Sequence, residues 1–385
     1  MWYVPITTGN PLVTSRTLEE LKQEIERRVR HGLPPLAGIS IEDARAALDS
    51  ISSLERDAWA QAWSARGDTR LERAVGLEAR DPQQARHQYW CAWRLLNFAR
   101  WPVENTPFKK YTYPRALAAF RNYGRLLDPP VEMVRIPFEN EVIVGYLRAP
   151  RARTPAPLVI GVSGLDSRKE DVAGHGDAYL ARGLALLALD MPGTGEAPAP
   201  LGPKADRMFS CVLDYISARS DLDAARVVVQ GRSWSGYWAA KLAYTEHARL
   251  SGAVMHGGPI HHYFQPGWLG PSLESHEYLY DYLPATARLF GAENLQQLLA
   301  AAPAYSLLDA GVLEGARAPM LLVNGARDSQ VPIADLELLR ERGAAAEAWV
   351  NPDGGHMGRS ADWPPKRIFD EVLLPWMLAR VNGTR

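Results

Sequence analysis

The feature that most constrains the fold is a series of short apolar runs in the second part of the chain, separated by stretches of helical character. The runs are Leu158–Val162, Ala185–Leu189, Val227–Val229, Gly252–Met255 and Met320–Val323. Strands that are apolar on both faces belong to a mostly parallel sheet that helices cover on both sides. The sequence therefore predicts an α/β fold of this type.

The N-terminal part of the chain has a different period. From Leu18 to about Leu127 the apolar residues recur at helical spacing, and no alternating strand interrupts them. Pro129 ends this pattern, and the alternating segments 131–137 and 142–147 that follow it predict two strands. We expect an all-helical N-terminal domain at 1–128, the candidate cap, and a catalytic sheet domain at 129–385.

A long segment separates the run that ends near Met255 from the run that begins at Met320. It exceeds the length of a single crossover helix, and loops of this length commonly carry function. It is also rich in aromatic residues, namely Tyr263, Phe264, Trp268, Tyr278 and Tyr280. We expect residues 257–318 to form a smaller, lid-like insertion.

Charge and cysteine usage exclude several classes of function. Lys and Arg total 43 against 44 Asp and Glu, so a net charge of -1 provides no field that would attract nucleic acid or an anionic membrane. A small-molecule partner is the expectation. Cys91 and Cys211 are too few for a disulfide framework and wrongly spaced for a zinc site. We expect both to be reduced, buried small hydrophobes, with no metal bound.

The N-terminal stretch Met1–Thr8 lacks a basic segment followed by an apolar one. No later apolar run is long enough to span a bilayer, which takes about 18 residues or more. These patterns predict a cytoplasmic protein without a membrane association.

The strongest chemical signal is a strand, a tight turn and a helix with Ser233 at the apex. The apolar run Val227–Val229 leads through Gly231 into Ser233, and a helix-compatible stretch follows Gly236. This is the arrangement of a nucleophile elbow, whose strained turn requires small residues two positions before and after the serine. Gly231 meets this requirement, whereas Ser235 only approximates it. An ordinary strand-to-helix turn would give a similar pattern, so the assignment depends on partners elsewhere in the chain.

An acid and a base follow the serine in the order that such a site requires. Asp328 lies in the loop after the strand Met320–Val323, where it would accept the Nδ1 proton of a histidine. The alternative is that Asp328 caps the helix that starts near Pro332. We interpret the nearby Asp335 as the first-turn charge of that helix.

His356 lies in a glycine-flanked loop after the predicted strand Glu347–Val350. A loop of this kind lets an imidazole reach a serine hydroxyl and act as a general base. The alternative is that His356 is one of several polar loop residues, since His256, His261 and His262 also follow a strand. Its order and spacing after Asp328 favour His356.

Acyl transfer also needs two backbone N–H groups that point at the developing oxyanion. The first candidate is Trp234, directly after the serine. The second is Leu165, or alternatively Asp166, in the loop after Leu158–Val162, where Gly164 permits the turn. Arg168 to Asp171, further along that loop, are expected to be solvated and to cap the following helix. A second loop, Asp190–Glu196, lacks the residues of a phosphate-binding loop and is interpreted as a structural turn.

At these positions the chain resembles one branch of the α/β hydrolases, which includes 2,6-dihydroxypseudooxynicotine hydrolase, the FrsA-like esterases and the fungal pigment-polyketide-shortening hydrolases. The resemblance rests on the stretches 164–170, 190–196 and 231–233, on the loops of Asp328 and His356, and on helical residues from Asp81 to Tyr113. It implies hydrolysis of an ester, or of a carbon–carbon bond beside a ketone, without a metal or organic cofactor. It also implies homodimers built partly through the cap. Ser235 departs from the glycine that many members carry.

The nature of the substrate and of the reaction stays open between alternatives. Aromatic residues in the helical domain favour an aromatic or polyketide-like carbonyl substrate, although each of them can equally pack the helical core: Tyr89, Trp90, Trp93, Phe98, Trp101, Tyr111 and Tyr113. Carbon–carbon cleavage would need an additional acid, for which His261 and His262 are candidates. The competing functions are an acyltransferase or cyclase that uses the same acyl-enzyme, and a non-catalytic ligand receptor on the same fold.

Overall fold

The computed structural model describes residues 16–152, 154–342 and 346–383. The stretch Met1–Thr8, on which the expectation of a missing leader rests, lies outside these ranges. The described chain divides into two compact units. Among the described residues, the helical unit comprises 16–131 together with Leu279–Ala285, and the sheet unit comprises Glu132–Tyr278 and the described residues from Thr286 to 383.

The helical unit is built from amphipathic helices with clear start signals. Thr17 and Glu20 form a reciprocal capping box at the first helix, whose apolar Leu21, Ile25 and Val29 recur every fourth residue and are buried. The helices are α1 (Leu18–Arg30), α2 (Ile41–Asp49), α3 (Arg56–Leu77), α4 (Pro82–Arg100) and α5 (Pro107–Arg125). Proline at the start of α4 and α5 suits the first helical turn, where its missing N–H is not needed.

Aromatic side chains fill the core of this unit. Tyr89, Trp93, Phe98 and Trp101 are all at most 3% exposed. Phe98 packs edge to face on Trp63, and Trp93 packs edge to face on Phe120. Tyr89 packs with Ala74 and Ala85. These four residues therefore pack the helical core, while Tyr111 is 61% exposed.

The segment Leu279–Ala285 is held within the helical unit by charge. Asp281, which has a φ of 59°, pairs with Arg56 at 3.0 Å and with Lys109 at 3.5 Å. Burial of Lys109 lowers the pKa of its amine to about 8 although Asp281 opposes the change. The pairing explains why this short part of the predicted insertion groups with the N-terminal helices.

The described part of the sheet unit contains an eight-stranded sheet in the order β1-β2-β4-β3-β5-β6-β7-β8. Its strands are β1 (Glu132–Phe138), β2 (Glu141–Arg148), β3 (Ala156–Val162), β4 (Ala185–Leu189), β5 (Leu222–Arg232), β6 (Gly252–His256), β7 (Met320–Gly325) and β8 (Ala346–Asn351). The first two form an antiparallel hairpin that joins β4 in antiparallel fashion, and all other pairs are parallel. The predicted mostly parallel α/β fold is confirmed.

Helices connect and flank these strands. They are α6 (Lys169–Ala173), α7 (Gly176–Leu180), α8 (Arg207–Ser217), α9 (Gly236–Thr245), α10 (Pro266–Ser272), α11 (Tyr282–Leu289), α12 (Leu295–Ala301), α13 (Ile333–Glu341), α14 (Pro365–Ile368) and α15 (Leu374–Val381). A π-helical stretch, Phe369–Leu373, joins the last two. Of the helices in the described ranges, none has the length and hydropathy that a bilayer crossing requires.

The two cysteines differ from expectation in their burial. Cys91 and Cys211 are free thiols, but each is only half-buried. Cys91 lies on α4 beside His87, with 3.6 Å between its sulfur and the imidazole Nε2. A helical surface position leaves part of each thiol accessible, so the expectation of fully buried cysteines is wrong.

Candidate active site

Ser233 lies at the turn between β5 and α9, at the carboxyl end of the parallel strands. Its φ of 54° places a non-glycine residue in the left-handed region, a strain that persists only where the surrounding structure imposes it. A short 3₁₀ turn, Ser233–Ser235, leads into α9. At Gly231 a β-carbon would lie 2.1 Å from the Ser235 carbonyl oxygen, which explains the glycine there. The local geometry is that of a nucleophile elbow.

Ser233, His356 and Asp328 are connected by hydrogen bonds, although more than ninety residues separate Ser233 from Asp328, the nearer of the two in sequence. The Ser233 Oγ lies 2.6 Å from His356 Nε2, and His356 Nδ1 lies 2.8 Å from an Asp328 carboxylate oxygen. Because a carboxylate only accepts, Nδ1 carries the proton and the Nε2 lone pair faces the hydroxyl. The structure thus brings together the three side chains that the sequence singled out.

Hydrogen bonds keep the Asp328 carboxylate ionised. One oxygen accepts from the backbone N–H groups of Gln330 and Val331, at 2.8 and 3.0 Å, and the other accepts from the Asn324 amide at 2.9 Å as well as from His356. Burial by itself would raise the pKa of Asp328. The neighbouring His356 and these donors lower the pKa by a larger amount, so it lies below its ordinary value. The bonds to Gln330 and Val331 also organise the loop before α13. Asp328 therefore shapes its own loop as well as binding the imidazole.

The loop that carries His356 is fixed by side chains from other segments. The Glu277 carboxylate accepts the His356 N–H at 2.7 Å, and the Asn324 side-chain oxygen accepts the Met357 N–H at 2.9 Å. Met357 itself has a φ of 63°, so the loop needs such restraints to hold its shape. Glu277 and Asn324 were not predicted from the sequence, because neither belongs to a local motif of known chemistry.

His256 is the last residue of β6, and His356 lies in the loop after β8. Although both lie at or after the end of a strand, His256 has a different role. Its Nε2–H donates to the Met357 carbonyl at 2.9 Å, and the side chain is 6% exposed. Burial lowers the pKa of His256 to about 3, so the ring is neutral near neutral pH. His256 supports the loop of His356 and does not bind the serine.

The loop after β3 packs directly on the serine turn. A β-carbon at Gly164 would lie 2.9 Å from the Arg232 carbonyl oxygen and 3.3 Å from the Ser233 β-carbon. Leu165 and Trp234, the predicted oxyanion donors, are 7% and 2% exposed. The glycine at position 164 thus permits the loop of Leu165 to approach the serine turn closely.

The expectation that Arg168 to Asp171 are solvated is wrong. Arg168, Lys169 and Glu170 are at most 2% exposed, and only Asp171 acts as the predicted helix cap, accepting the Arg168 N–H at 3.0 Å. The Arg168 guanidinium donates to the Leu165 carbonyl at 3.2 Å. These charged side chains are buried because they bind groups of the loop itself instead of facing solvent.

Lys169 is the centre of a buried ionic cluster. Its ammonium lies 2.6 Å from Glu196, 2.9 Å from Glu170 and 3.1 Å from Asp190. Asp190 also accepts the Lys169 backbone N–H at 2.8 Å and the Glu196 N–H at 3.0 Å. Burial raises the pKa of Glu170 despite the nearby lysine. Asp190 therefore joins the 190–196 turn to the loop after β3, in agreement with the structural interpretation of that turn.

The Asp335 carboxylate binds the chain segment that follows β6. Asp335 lies in the first turn of α13, as predicted, but it is fully buried. Its carboxylate accepts four backbone N–H groups, those of residues 260 to 263. Burial raises the pKa of Asp335 although these donors oppose the shift. The His261 imidazole bonds the Ser306 hydroxyl at 2.7 Å.

The Trp234 side chain belongs to an aromatic cluster of the sheet unit. Its ring lies 5.4 Å from Tyr237, 6.1 Å from Phe264 and 6.0 Å from Phe290, measured between ring centroids. Phe290 in turn packs edge to face on Tyr305 at 5.0 Å. Residues of the segment between β6 and β7 therefore form an aromatic wall next to the serine turn.

The mostly parallel sheet and the strand–turn–helix that holds Ser233 define an α/β-hydrolase. The family model described as "Esterase FrsA-like" matches residues 40–348, and the chain belongs to this family of enzymes. The described ranges hold no group of three or more His, Cys, Asp or Glu side chains arranged to bind a metal ion.

Individual relatives agree with this assignment. The chain is 26% identical over 300 residues to an esterase FrsA of Vibrio cholerae serotype O1, a match that covers 76% of this chain and 70% of the relative. It is 27% identical over 250 residues to the 20-hydroxy-prefusarin hydrolase of Gibberella moniliformis, covering 60% of this chain and 58% of that one.

Among solved structures, 2,6-dihydroxy-pseudo-oxynicotine hydrolase aligns with a TM-score of 0.75 at 20% identity, over 94% of this chain and 96% of the other. The protein AbyA5 aligns with a TM-score of 0.74 at 22% identity, over 96% and 98%. At these identities the likeness demonstrates a shared fold.

Proposed function

We propose that this enzyme is a serine hydrolase in which Ser233 is the nucleophile, His356 the general base and Asp328 the acid that orients the base. The observation that carries the proposal is the continuous chain of hydrogen bonds from Ser233 Oγ through the imidazole to Asp328, at 2.6 and 2.8 Å. His356 Nε2 takes the hydroxyl proton as Oγ attacks a substrate carbonyl. Asp328 then stabilises the imidazolium that forms.

The tetrahedral intermediate needs stabilisation of its oxyanion. The backbone N–H groups of Trp234 and Leu165 are the proposed donors, and the close packing of Gly164 on the serine turn supports the second of them. Collapse of the intermediate breaks the bond between the carbonyl carbon and the leaving group, which departs as an alcohol or as an enol after it takes the proton held by His356. This leaves an acyl-enzyme on Ser233, and water activated by His356 releases the acid. Neither step requires a metal or an organic cofactor.

The proposed substrate is an aromatic or polyketide-like compound that carries an ester or a ketone next to the bond that breaks. Two observations support this class: the aromatic wall around Trp234, and the relationship at 27% identity to an enzyme named 20-hydroxy-prefusarin hydrolase. As part of the same proposal, the N-terminal helical unit is the cap domain of the enzyme.

Labelling with a fluorophosphonate, which traps activated serines, tests the proposal. Intact-protein mass spectrometry should find a single adduct on the wild-type enzyme and none on the Ser233→Ala and His356→Ala variants. Ser251→Ala, which removes a hydroxyl at the amino end of β6, is the matched control and should label normally. A folded wild-type protein that does not label would refute the triad and favour a ligand receptor.

The products distinguish hydrolysis from acyl transfer. With ester and ketone substrates of the proposed class, a hydrolase releases a free acid regardless of added alcohols or amines. A product that appears only with such an acceptor would identify an acyltransferase that uses the same acyl-enzyme.

A further inference from the structure

Ser235 occupies the position at which the nucleophile elbow usually has a second glycine. The side chain is fully buried. Its hydroxyl accepts the Arg232 backbone N–H at 2.7 Å and donates to the Val162 carbonyl at 2.9 Å, with the Arg232 carbonyl at 3.0 Å. The departure from the common motif therefore creates a specific set of buried hydrogen bonds.

These bonds lie at the point where two catalytic segments leave the sheet. The paired residues of β3 and β5 end at Val162 and Gly231. Beyond Val162 the chain forms the loop of Leu165, and beyond Arg232 it forms the turn of Ser233. The Ser235 hydroxyl thus adds a link between the two segments just beyond the last paired residues of the strands. A glycine or alanine at this position cannot provide it.

The link matters because the two segments together bear the proposed oxyanion donors. The Leu165 N–H comes from the first segment, and the Trp234 N–H comes from the second. Electrostatic stabilisation of an oxyanion depends on donors held at fixed positions before the charge develops. The two segments approach each other closely, since a β-carbon at Gly164 would lie 3.3 Å from the Ser233 β-carbon.

We propose that Ser235 is a positioning residue that holds the loop of Leu165 and the turn of Ser233 at a fixed separation, and so sets the geometry of the oxyanion hole. The inference rests on the proposed serine hydrolase function. Ser235 touches neither the substrate nor the reacting atoms in this role, and it acts through the backbone groups of Val162 and Arg232.

The experiment compares the Ser235→Ala and Ser235→Gly variants with the wild-type enzyme on a p-nitrophenyl ester. Active-site titration with the fluorophosphonate counts competent enzyme, so a fraction that fails to fold is not scored as slow enzyme. We expect kcat to fall about tenfold in both variants, less than the loss on removing an oxyanion donor outright. KM should change by less than about twofold, because only the transition state is affected. The rate constant of labelling should fall in parallel with kcat.

Ser251→Ala is again the control, since the Ser251 hydroxyl donates to a single backbone carbonyl, that of Ala225, at 3.1 Å. Wild-type kcat and labelling rate in Ser235→Gly, which restores the common motif, would overturn the proposal. So would a rise in KM with unchanged kcat. A wild-type enzyme that does not label at Ser233 would refute the proposed function itself, whereas a labelled wild type with unaltered Ser235 variants would refute only the role of Ser235.

Discussion

The Glu277 carboxylate accepts the backbone N–H of His356 at 2.7 Å and, with its other oxygen, the Ser329 hydroxyl at 2.9 Å. Ser329 directly follows Asp328 in the chain. One side chain from the segment between β6 and β7 therefore joins the loops of the proposed base and of the proposed acid.

Removal of this carboxylate should slow the chemical step. In Glu277→Ala we expect kcat and the rate of fluorophosphonate labelling to fall about tenfold, because a misplaced base loses part of its alignment with the serine. Glu277→Gln keeps an oxygen for the His356 N–H and should retain most of the activity. Glu274→Ala, which removes an exposed carboxylate of the same segment, is the control. Equal activity of all three variants would contradict a role for Glu277.

Asp328→Asn tests the orientation of the imidazole. An amide N–H at this position donates a hydrogen bond to Nδ1, so the imidazole carries its own proton on Nε2 and that nitrogen no longer accepts from Ser233. We expect kcat to fall by about four orders of magnitude with little change in the near-UV circular dichroism spectrum. Asp353→Asn, at an exposed carboxylate that pairs with Arg327, should have near wild-type activity. Retention of more than a tenth of wild-type kcat in Asp328→Asn would show that the carboxylate is dispensable.

The lowered pKa of His256 predicts how the free energy of unfolding depends on pH. The folded-state pKa of about 3 lies below the ordinary value of 6.5, so between these values the unfolded chain binds the proton and the folded protein does not. The contribution of the neutral His256 imidazole to the free energy of unfolding is fully present above pH 6.5 and is lost as the pH falls towards about 3. The free energy of unfolding should decrease by about 1.4 kcal/mol per pH unit in this window.

The His256→Gln variant provides the comparison, since its amide can still donate to the Met357 carbonyl and does not titrate. Urea unfolding at pH 4, 5 and 6 should give a smaller slope for this variant than for the wild type, and the exposed His247→Gln should retain the wild-type slope. Identical slopes for the wild type and His256→Gln would mean that the buried imidazole does not control acid stability.

Gly231→Ala tests the steric requirement of the elbow. The added methyl group would lie 2.1 Å from the Ser235 carbonyl oxygen, so the backbone of the turn would have to move. We expect the free energy of unfolding to drop by about 3 kcal/mol and labelling of Ser233 to be largely lost. Gly267→Ala on α10, where no atom lies within 4 Å of the new methyl group, is the control. A Gly231→Ala variant as stable and as reactive as the wild type would show that the turn adapts.

Local patterns in the sequence were sufficient to predict the strands and the helices and to identify the three residues of the proposed triad. Each short apolar run became a strand of the sheet, because a strand buried on both faces must be apolar throughout. Ser233, Asp328 and His356 each follow a strand in the order of a known motif. Since the carboxyl ends of parallel strands share one edge of the sheet, their approach could be expected from topology.

Only the tertiary structure decided what surrounds these residues. Glu277 and Asn324 carry no local signal, and the groups that they bind in the loop of His356 are backbone N–H groups, which every residue possesses. Arg168, Lys169 and Glu170 have the composition of a solvated loop, yet they are buried because Asp190 and the Leu165 carbonyl lie where the chain folds back. The sequence by itself determined which residues form the elements and which side chains have the required chemistry. Contacts between distant segments determined their positions and their charge states, because burial and pairing depend on the whole fold.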